Sequence, residues 1–250
     1  MNLQTSNGAC FRTLIKCLKD ILTETTIVFN SKGMSITTMD KLKKSLVDVF
    51  LPSENFDSYD CNSEFIKFGI DVFQLHQCIN SIEQDDTLSL SCEHGIVHHL
   101  TIKFENSKRS KTHTLKLIEP EVDTYDVPDV DYDVIARIPS IDIKKSLKSL
   151  HDDVVDITCL GECITINTIG TYTSTSTELK GIDFKKWSHE RVHNCYSLKA
   201  LNSFIKCTAL SESCEIHLSA NMPLMVKYNV ETMGTVRLCL KALPKAPPLV

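Results

Sequence analysis

The order of predicted elements repeats along the chain, and this constrains the fold more than any single motif. A helical stretch near residues 8–22 leads into the hairpin IVFNSKGMSITTM (27–39). A second, near 140–151, leads into VDITCLGECITINTI (155–169), with Gly161 placed as Gly33 is. A helix near 72–82 precedes DDTLSLSCEHGIVHHLTIKF (85–104), and one near 197–209 precedes SESCEIHLSANMPLMVKYNV (211–230). The strand segments are short, rich in β-branched residues and broken by Gly, Asp, Asn or Ser. The pattern predicts two copies of one α+β unit, residues 1–117 and 134–250. Between them IEPEVDTYDVPDVDYD (118–133) is acidic, carries Pro120 and Pro128, and has no sustained period, so an extended connecting loop is expected.

The four helices are amphipathic. In the first, Phe11, Leu14, Ile15, Leu18 and Leu22 form one stripe and Arg12, Lys16 and Lys19 the other. The third turns Ile143, Leu147 and Leu150 inward and Lys144, Lys145, Lys148 and His151 outward. The fourth buries Leu198, Leu201 and Ile205 and exposes Lys199, Asn202 and Lys206. The second buries Leu75, Ile79 and Ile82, and its outer face is expected to carry only neutral groups and His76.

Around these helices stand eight Lys or Arg against two Asp or Glu, a surplus of six that leaves −11 elsewhere in a chain of net charge −5. Lysines on an outward helix face are ordinarily just solvated, and such faces usually mix signs for i,i+4 pairing. Three faces with two acids among them depart from that, and a basic layer on an acidic body is the footprint of a phosphate-binding surface. Seven of the eight are Lys. Lysine is a flexible point charge without the rigid fork by which Arg reads guanine edges, so contact without sequence readout is expected.

Hydrophobic residues make up 42% of the chain, enough for a substantial core. No apolar run approaches the ~18 residues that cross a bilayer. The start, MNLQTSNGACFRTLIKCL, lacks the basic region and cleavage site of a signal peptide, so an intracellular protein with no membrane contact is expected. Eleven cysteines without a CxxC pair fit reduced thiols in a reducing compartment, and no metal or cofactor is expected.

Several stretches resemble the proliferating cell nuclear antigen family of sliding clamps. They are IKCLKDIL (15–22), GMSITTMD (33–40), VPDVDY (127–132) and, most specifically, LSANMPLMVKYNVETMGTVRLCL (218–240). The match is collinear over nearly the whole chain and modest in degree, as in a divergent member such as large DNA viruses carry. The resemblance implies two tandem βαβββ-repeat domains of the DNA clamp fold, with helices lining a central hole and sheets outside. Arg12, Lys16, Lys19, Lys144, Lys145, Lys148, His151, Lys199 and Lys206 would then face double-stranded DNA. Topology rather than affinity would hold the ring on. Implied partners are DNA polymerase and other proteins with clamp-binding peptides, and a clamp loader. The implied location is the nucleus, or cytoplasmic replication sites for a viral protein; Lys108–Lys111 is a short basic run in a turn and a weak pattern for a nuclear signal.

By position, the family's partner-peptide pocket would be lined by Met39, Lys43, Leu46, Tyr125, Val127, Pro128, Met222, Pro223, Cys239 and Ala242. The chain departs from the family at Gln77 and Asn80, where lysines are common, and at Cys239, where an aromatic is usual. Lys43 and Lys44 replace a His-Val pair and predict a basic rim that favours acidic partner residues. The resemblance also implies a homotrimer joined through strands 112–118 and 171–179. The second is rich in Thr and Ser, so a ring that dissociates on dilution is expected.

Two rivals stand beside the clamp. One is an open monomeric or dimeric processivity factor of the herpesvirus kind. The other is a zinc metalloprotease: His189, Glu190 and His193 spell HExxH, which needs a helix to bring both imidazoles to one face, and a third ligand. No helical stripe covers them, and a loop and strand are expected there.

Overall fold

The computed structural model describes residues 1–61, 64–92, 98–120, 123, 125–127, 130–170 and 173–244. In chain order it contains β1 (Asn2–Thr5), α1 (Gly8–Leu18), β2 (Glu24–Asn30), β3 (Gly33–Met39), β4 (Ser45–Pro52), β5 (Ser58–Asp60), β6 (Ile66–Asp71), α2 (Val72–Ile79), β7 (Thr87–Ser91), β8 (His99–Glu105) and β9 (Ser110–Lys116). The second half contains β10 (Val134–Pro139), α3 (Ser140–Lys148), β11 (Val154–Leu160), β12 (Cys163–Ile169), β13 (Ser174–Leu179), β14 (Asp183–Lys186), β15 (Val192–Ser197), α4 (Leu198–Phe204), β16 (Ser213–Leu218), β17 (Leu224–Val230) and β18 (Gly234–Leu240). A strand, a helix and three strands recur four times, with β5 and β14 as short additions. This is the α+β βαβββ repeat, used twice per domain.

The residues group into two units. Unit 1 is Met1–Lys41, Val47–Val127 and Asn229–Val236; unit 2 is Leu42–Leu46, Pro128–Tyr228 and Arg237–Val250. Strand order repeats as well as element order. Unit 1 has β5-β1-β7-β8-β9 and β4-β3-β2-β6; unit 2 has β14-β10-β16-β17-β18 and β13-β12-β11-β15. Strand β1, short and polar, escapes the hydrophobic pattern, yet it occupies the place β10 holds in unit 2. It pairs antiparallel with β5 and β7, Leu3 facing Tyr59 and Leu90.

Alternation explains the sheets. Strands β2, β8 and β16 bury every second residue, so each shows one face to a core and one outward. The hairpin turns are set by two glycines at positive φ. At Gly33 (φ 141°) a Cβ would collide with the Leu51 carbonyl; Gly161 (φ 57°) needs only the left-handed backbone.

Each helix pair closes a core. In unit 1 Phe11, Leu14, Ile15 and Leu18 of α1 meet Leu75 and Ile79 of α2, all at most 1% exposed. At ~25 cal/mol per Å2 each such side chain contributes about 1.5–3 kcal/mol by leaving water. In unit 2 Ile143, Leu147, Leu198, Leu201, Phe204 and Ile205 do the same. Asp71 caps α2, its carboxylate accepting the Gln74 N–H at 2.9 Å, and Ser197 caps α4 from Ala200. All eleven cysteines lie among the described residues and none forms a disulfide. Burial pushes the Cys159 thiol up to about 11, as a structural thiol requires.

Candidate nucleic-acid interface and partner pocket

The amphipathic pattern leaves the cations on the outer helix faces. In unit 1 Lys16 is exposed and Lys19 is partly exposed, its ammonium 3.8 Å from Asp20, a solvated pair of small energy. Arg12 is half-buried and its guanidinium donates to the Ile82 carbonyl, in the turn after α2. Part of its hydrogen-bonding capacity therefore holds α1 to that turn. In unit 2 Lys145, Lys148, His151, Lys199 and Lys206 are exposed and Lys144 is half-buried. Lys145 and Lys148 stand in the last turn of α3, where the helix dipole favours a cation.

Helix α2 departs from the sequence expectation. His76 is buried, at 8% exposure, and Phe73 is exposed instead, at 50%. Position 76 follows Leu75 and precedes Ile79 by three, so it falls inside the buried arc. Among the described residues its Nε2 meets no hydrogen-bond partner. Burial lowers its pKa, Lys19, Lys16 and Arg12 lower it further, and Asp20 alone opposes. The imidazole is neutral near pH 7 and adds nothing to the basic face.

Within unit 2 a cavity of about 560 Å3 lies among the 42–44 turn, β15 and residues 241–244. Two backbone bonds string the last segment across it: Lys241 N–H donates to the Lys44 carbonyl at 3.0 Å and Leu243 N–H to the Cys195 carbonyl at 2.8 Å. Leu42, 73% exposed, stands at its mouth, and Lys43, Lys44 and Lys241 make its rim cationic. Lys43 takes a left-handed φ of 51°.

Of the residues expected for a partner pocket, Lys43 and Ala242 line this cavity. Leu46 and Cys239, at 9% and 5% exposure, are buried in β4 and β18. Met222 and Pro223 are half-buried before β17. Met39, Tyr125 and Val127 belong to unit 1 and are half-buried, the Tyr125 hydroxyl donating to Asp123 at 3.1 Å. Pro128 lies outside the described residues. Beyond Lys43, Lys44 and Ala242, the lining residues of this cavity were not expected from sequence, Leu42, Asn194, Cys195 and Lys241 among them. Only Leu42, an apolar residue among lysines in a turn, offered a signal.

The HExxH stretch is not helical. His189 lies in a bend, its ring edge-on to Trp187 at 4.4 Å, while His193 is in β15 beside Asp156. A zincin pair on one helical face does not form. The two strands expected to join subunits are both sheet edges: β9 ends the order in unit 1 and β13 in unit 2. Residues 171 and 172 of the second segment lie outside the described residues. No helix among the described residues is long and apolar enough to cross a membrane.

Four βαβββ motifs in two tandem units, with cationic outer faces on three of the four helices, make the fold of a two-domain clamp. Residues 1–126 match the family model for the proliferating cell nuclear antigen N-terminal domain, and residues 126–243 that for its C-terminal domain. Proliferating cell nuclear antigen of Caenorhabditis elegans is similar, 26% identical over 251 residues that cover 94% of each chain. The chain belongs to the proliferating cell nuclear antigen family. That membership supports a DNA-binding sliding clamp and processivity factor of DNA replication, a non-enzymatic scaffold.

Proposed function

We propose that the chain closes into a homotrimer around duplex DNA and tethers DNA polymerase and other replication and repair proteins in the nucleus. The observation that carries this reading is the pair of helix layers, cationic on three helices and nearly free of acids, in a chain whose remainder is strongly acidic. Lys16, Lys19, Lys144, Lys145, Lys148, Lys199 and Lys206, with His151 and in part Arg12, face the phosphates. Each neutralised phosphate adds a salt-dependent increment without sequence preference.

Edge strands β9 and β13 of successive subunits pair through their backbones. β13 reads STSTEL and offers little apolar area, so the trimer dissociates readily on dilution. Sedimentation across a concentration series is expected to show monomer and trimer in exchange; a stable dimer or a persistent monomer overturns the ring. Retention on circular but not linear duplex separates a closed ring from an open factor, which stays on both.

The 42–44 turn and the 241–244 segment supply the partner pocket, with a clamp loader among its users. Its lysine rim favours peptides with acids beside an apolar anchor. Isothermal titration of a clamp-binding peptide with and without flanking acids tests this, and equal affinity sinks it.

A further inference from the structure

The outer face of the β13-β12-β11-β15 sheet carries a cluster of unlike donors, one of which, Cys195, also lines the cavity described above. Asp156 of β11 stands directly opposite Cys195 of β15, and Thr158 opposite His193. Residues two apart on a strand share a face, so carboxylate, imidazole and thiol project to the same side. The inward neighbours Val155, Ile157, Asn194 and Tyr196 are buried, so this side is the outer one. Asp156, His193 and Cys195 bring one oxygen, one nitrogen and one sulfur within 4.8 Å of one another, each half-buried. His193 Nε2 already meets Asp156 Oδ2, while Asp156 Oδ1 accepts the Thr158 hydroxyl at 2.9 Å.

We propose that Asp156, His193 and Cys195 bind a zinc-class divalent cation, with water in the fourth position. Thiolate, imidazole and carboxylate together suit zinc or cobalt; calcium and magnesium require more oxygens. For bonds of about 2.0–2.3 Å the Cys195 sulfur is drawn in while His193 Nε2 and Asp156 Oδ2, now in direct contact, part to admit the ion, movements that small side-chain rotations supply. Thr158 acts as an outer-shell group that orients the carboxylate. Binding releases the Cys195 thiol proton to solvent and moves the proton shared by His193 Nε2 and Asp156 Oδ2 to Nδ1 or to solvent, so affinity rises with pH. The site differs from the HExxH pattern: two adjacent strands build it, and His189 and Glu190 take no part. It stands independently of ring formation.

Cobalt titration of the full chain under reducing conditions tests it. The expected result is one tight equivalent with a thiolate-to-cobalt charge-transfer band and the intense visible absorption of tetrahedral cobalt. Cys195→Ser removes the band, whereas Cys163→Ser on β12 leaves it. His193→Ala and Asp156→Asn, each checked for folding by circular dichroism, weaken binding at least ~10-fold. Zinc raises the melting temperature of the parent chain and not of these variants. No charge-transfer band, a band that survives Cys195→Ser, or only weak octahedral absorption from surface histidines overturns the proposal.

Discussion

In unit 1 one helix of the pair carries the cations and the other carries none; in unit 2 both carry lysines. Helix α1 has Arg12, Lys16 and Lys19, but Arg12 is tied to the Ile82 carbonyl and Lys19 leans toward Asp20. Helix α2 presents Phe73, Gln74, Gln77 and Asn80 and buries its histidine. Helix α3 has three lysines against Asp142, while α4 and the turn after it add Lys199 and Lys206. The strand order is shared, so the scaffold did not dictate this difference. Fold and surface charge vary separately when the buried face of each helix is kept.

The corner after each second helix differs too. In unit 1 Asp86, 0% exposed, accepts the Glu83 N–H at 2.8 Å, Arg109 at 2.8 Å and the Asn106 amide at 2.6 Å. In unit 2 the strand after the second helix begins at Ser213, whose hydroxyl accepts exposed Arg137 at 2.9 Å. Asp86→Ala leaves three donors without their acceptor and is expected to cost roughly 2–4 kcal/mol, held down because Arg109 can turn to water. Ser213→Ala is expected to cost less than ~1 kcal/mol. Urea denaturation decides; equal losses break the contrast. Burial raises the Asp86 pKa, but the Glu83 N–H, Arg109 and Asn106 outweigh it, so the net shift is downward. This stability is present above the ordinary carboxylate pKa of ~3.9 and is lost as pH falls through the lower folded value. This share of the acid sensitivity is expected to disappear in Asp86→Ala.

These contrasts also mark what the sequence could carry. The helices, the hairpins at Gly33 and Gly161 and the duplicated order follow from local periodicity, which short windows record. Asp86 was not legible: in Asp85-Asp86 only one carboxylate is buried, and the Arg109 that pairs with it stands 23 residues on. The same contact removes Arg109 from the basic run 108–111. The cavity joins the 42–44 turn, β15 and residues 241–244, three segments remote in sequence, so the family resemblance placed Lys43 and Ala242 while periodicity placed nothing. His76 was misplaced because polarity was allowed to outrank its angle on the helix.

If the lysine faces meet DNA, unit 2 gives most of the grip. Replacing Lys144, Lys145 and Lys148 by Ala is expected to flatten the slope of log affinity against log salt by about 2.7 for each subunit in contact, at ~0.9 per contact. Replacing Lys16 and Lys19 is expected to flatten it by less than ~1.8 for each such subunit, because Lys19 shares its charge with Asp20. Binding to a duplex closed at both ends, followed across a salt series, gives both numbers. An α1 effect equal to that of α3 per lysine would erase the asymmetry between the units.

The smallest effect concerns His76. Its folded pKa lies below the ordinary value of ~6.5, so the neutral form is the folded one. The stability is complete above that value and falls as pH drops toward the folded pKa, when a proton must enter a buried site facing Lys19, Lys16 and Arg12 with Asp20 alone in favour. The urea midpoint of the parent chain is therefore expected to fall between about pH 7.5 and pH 5.5 by more than that of His76→Leu. Leucine fits the arc between Leu75 and Ile79 and leaves no orphaned nitrogen, so the variant is also expected to match or exceed the parent at the lower pH. Identical pH dependence in both chains would return the imidazole to solvent and make the outer face of α2 what its sequence first suggested.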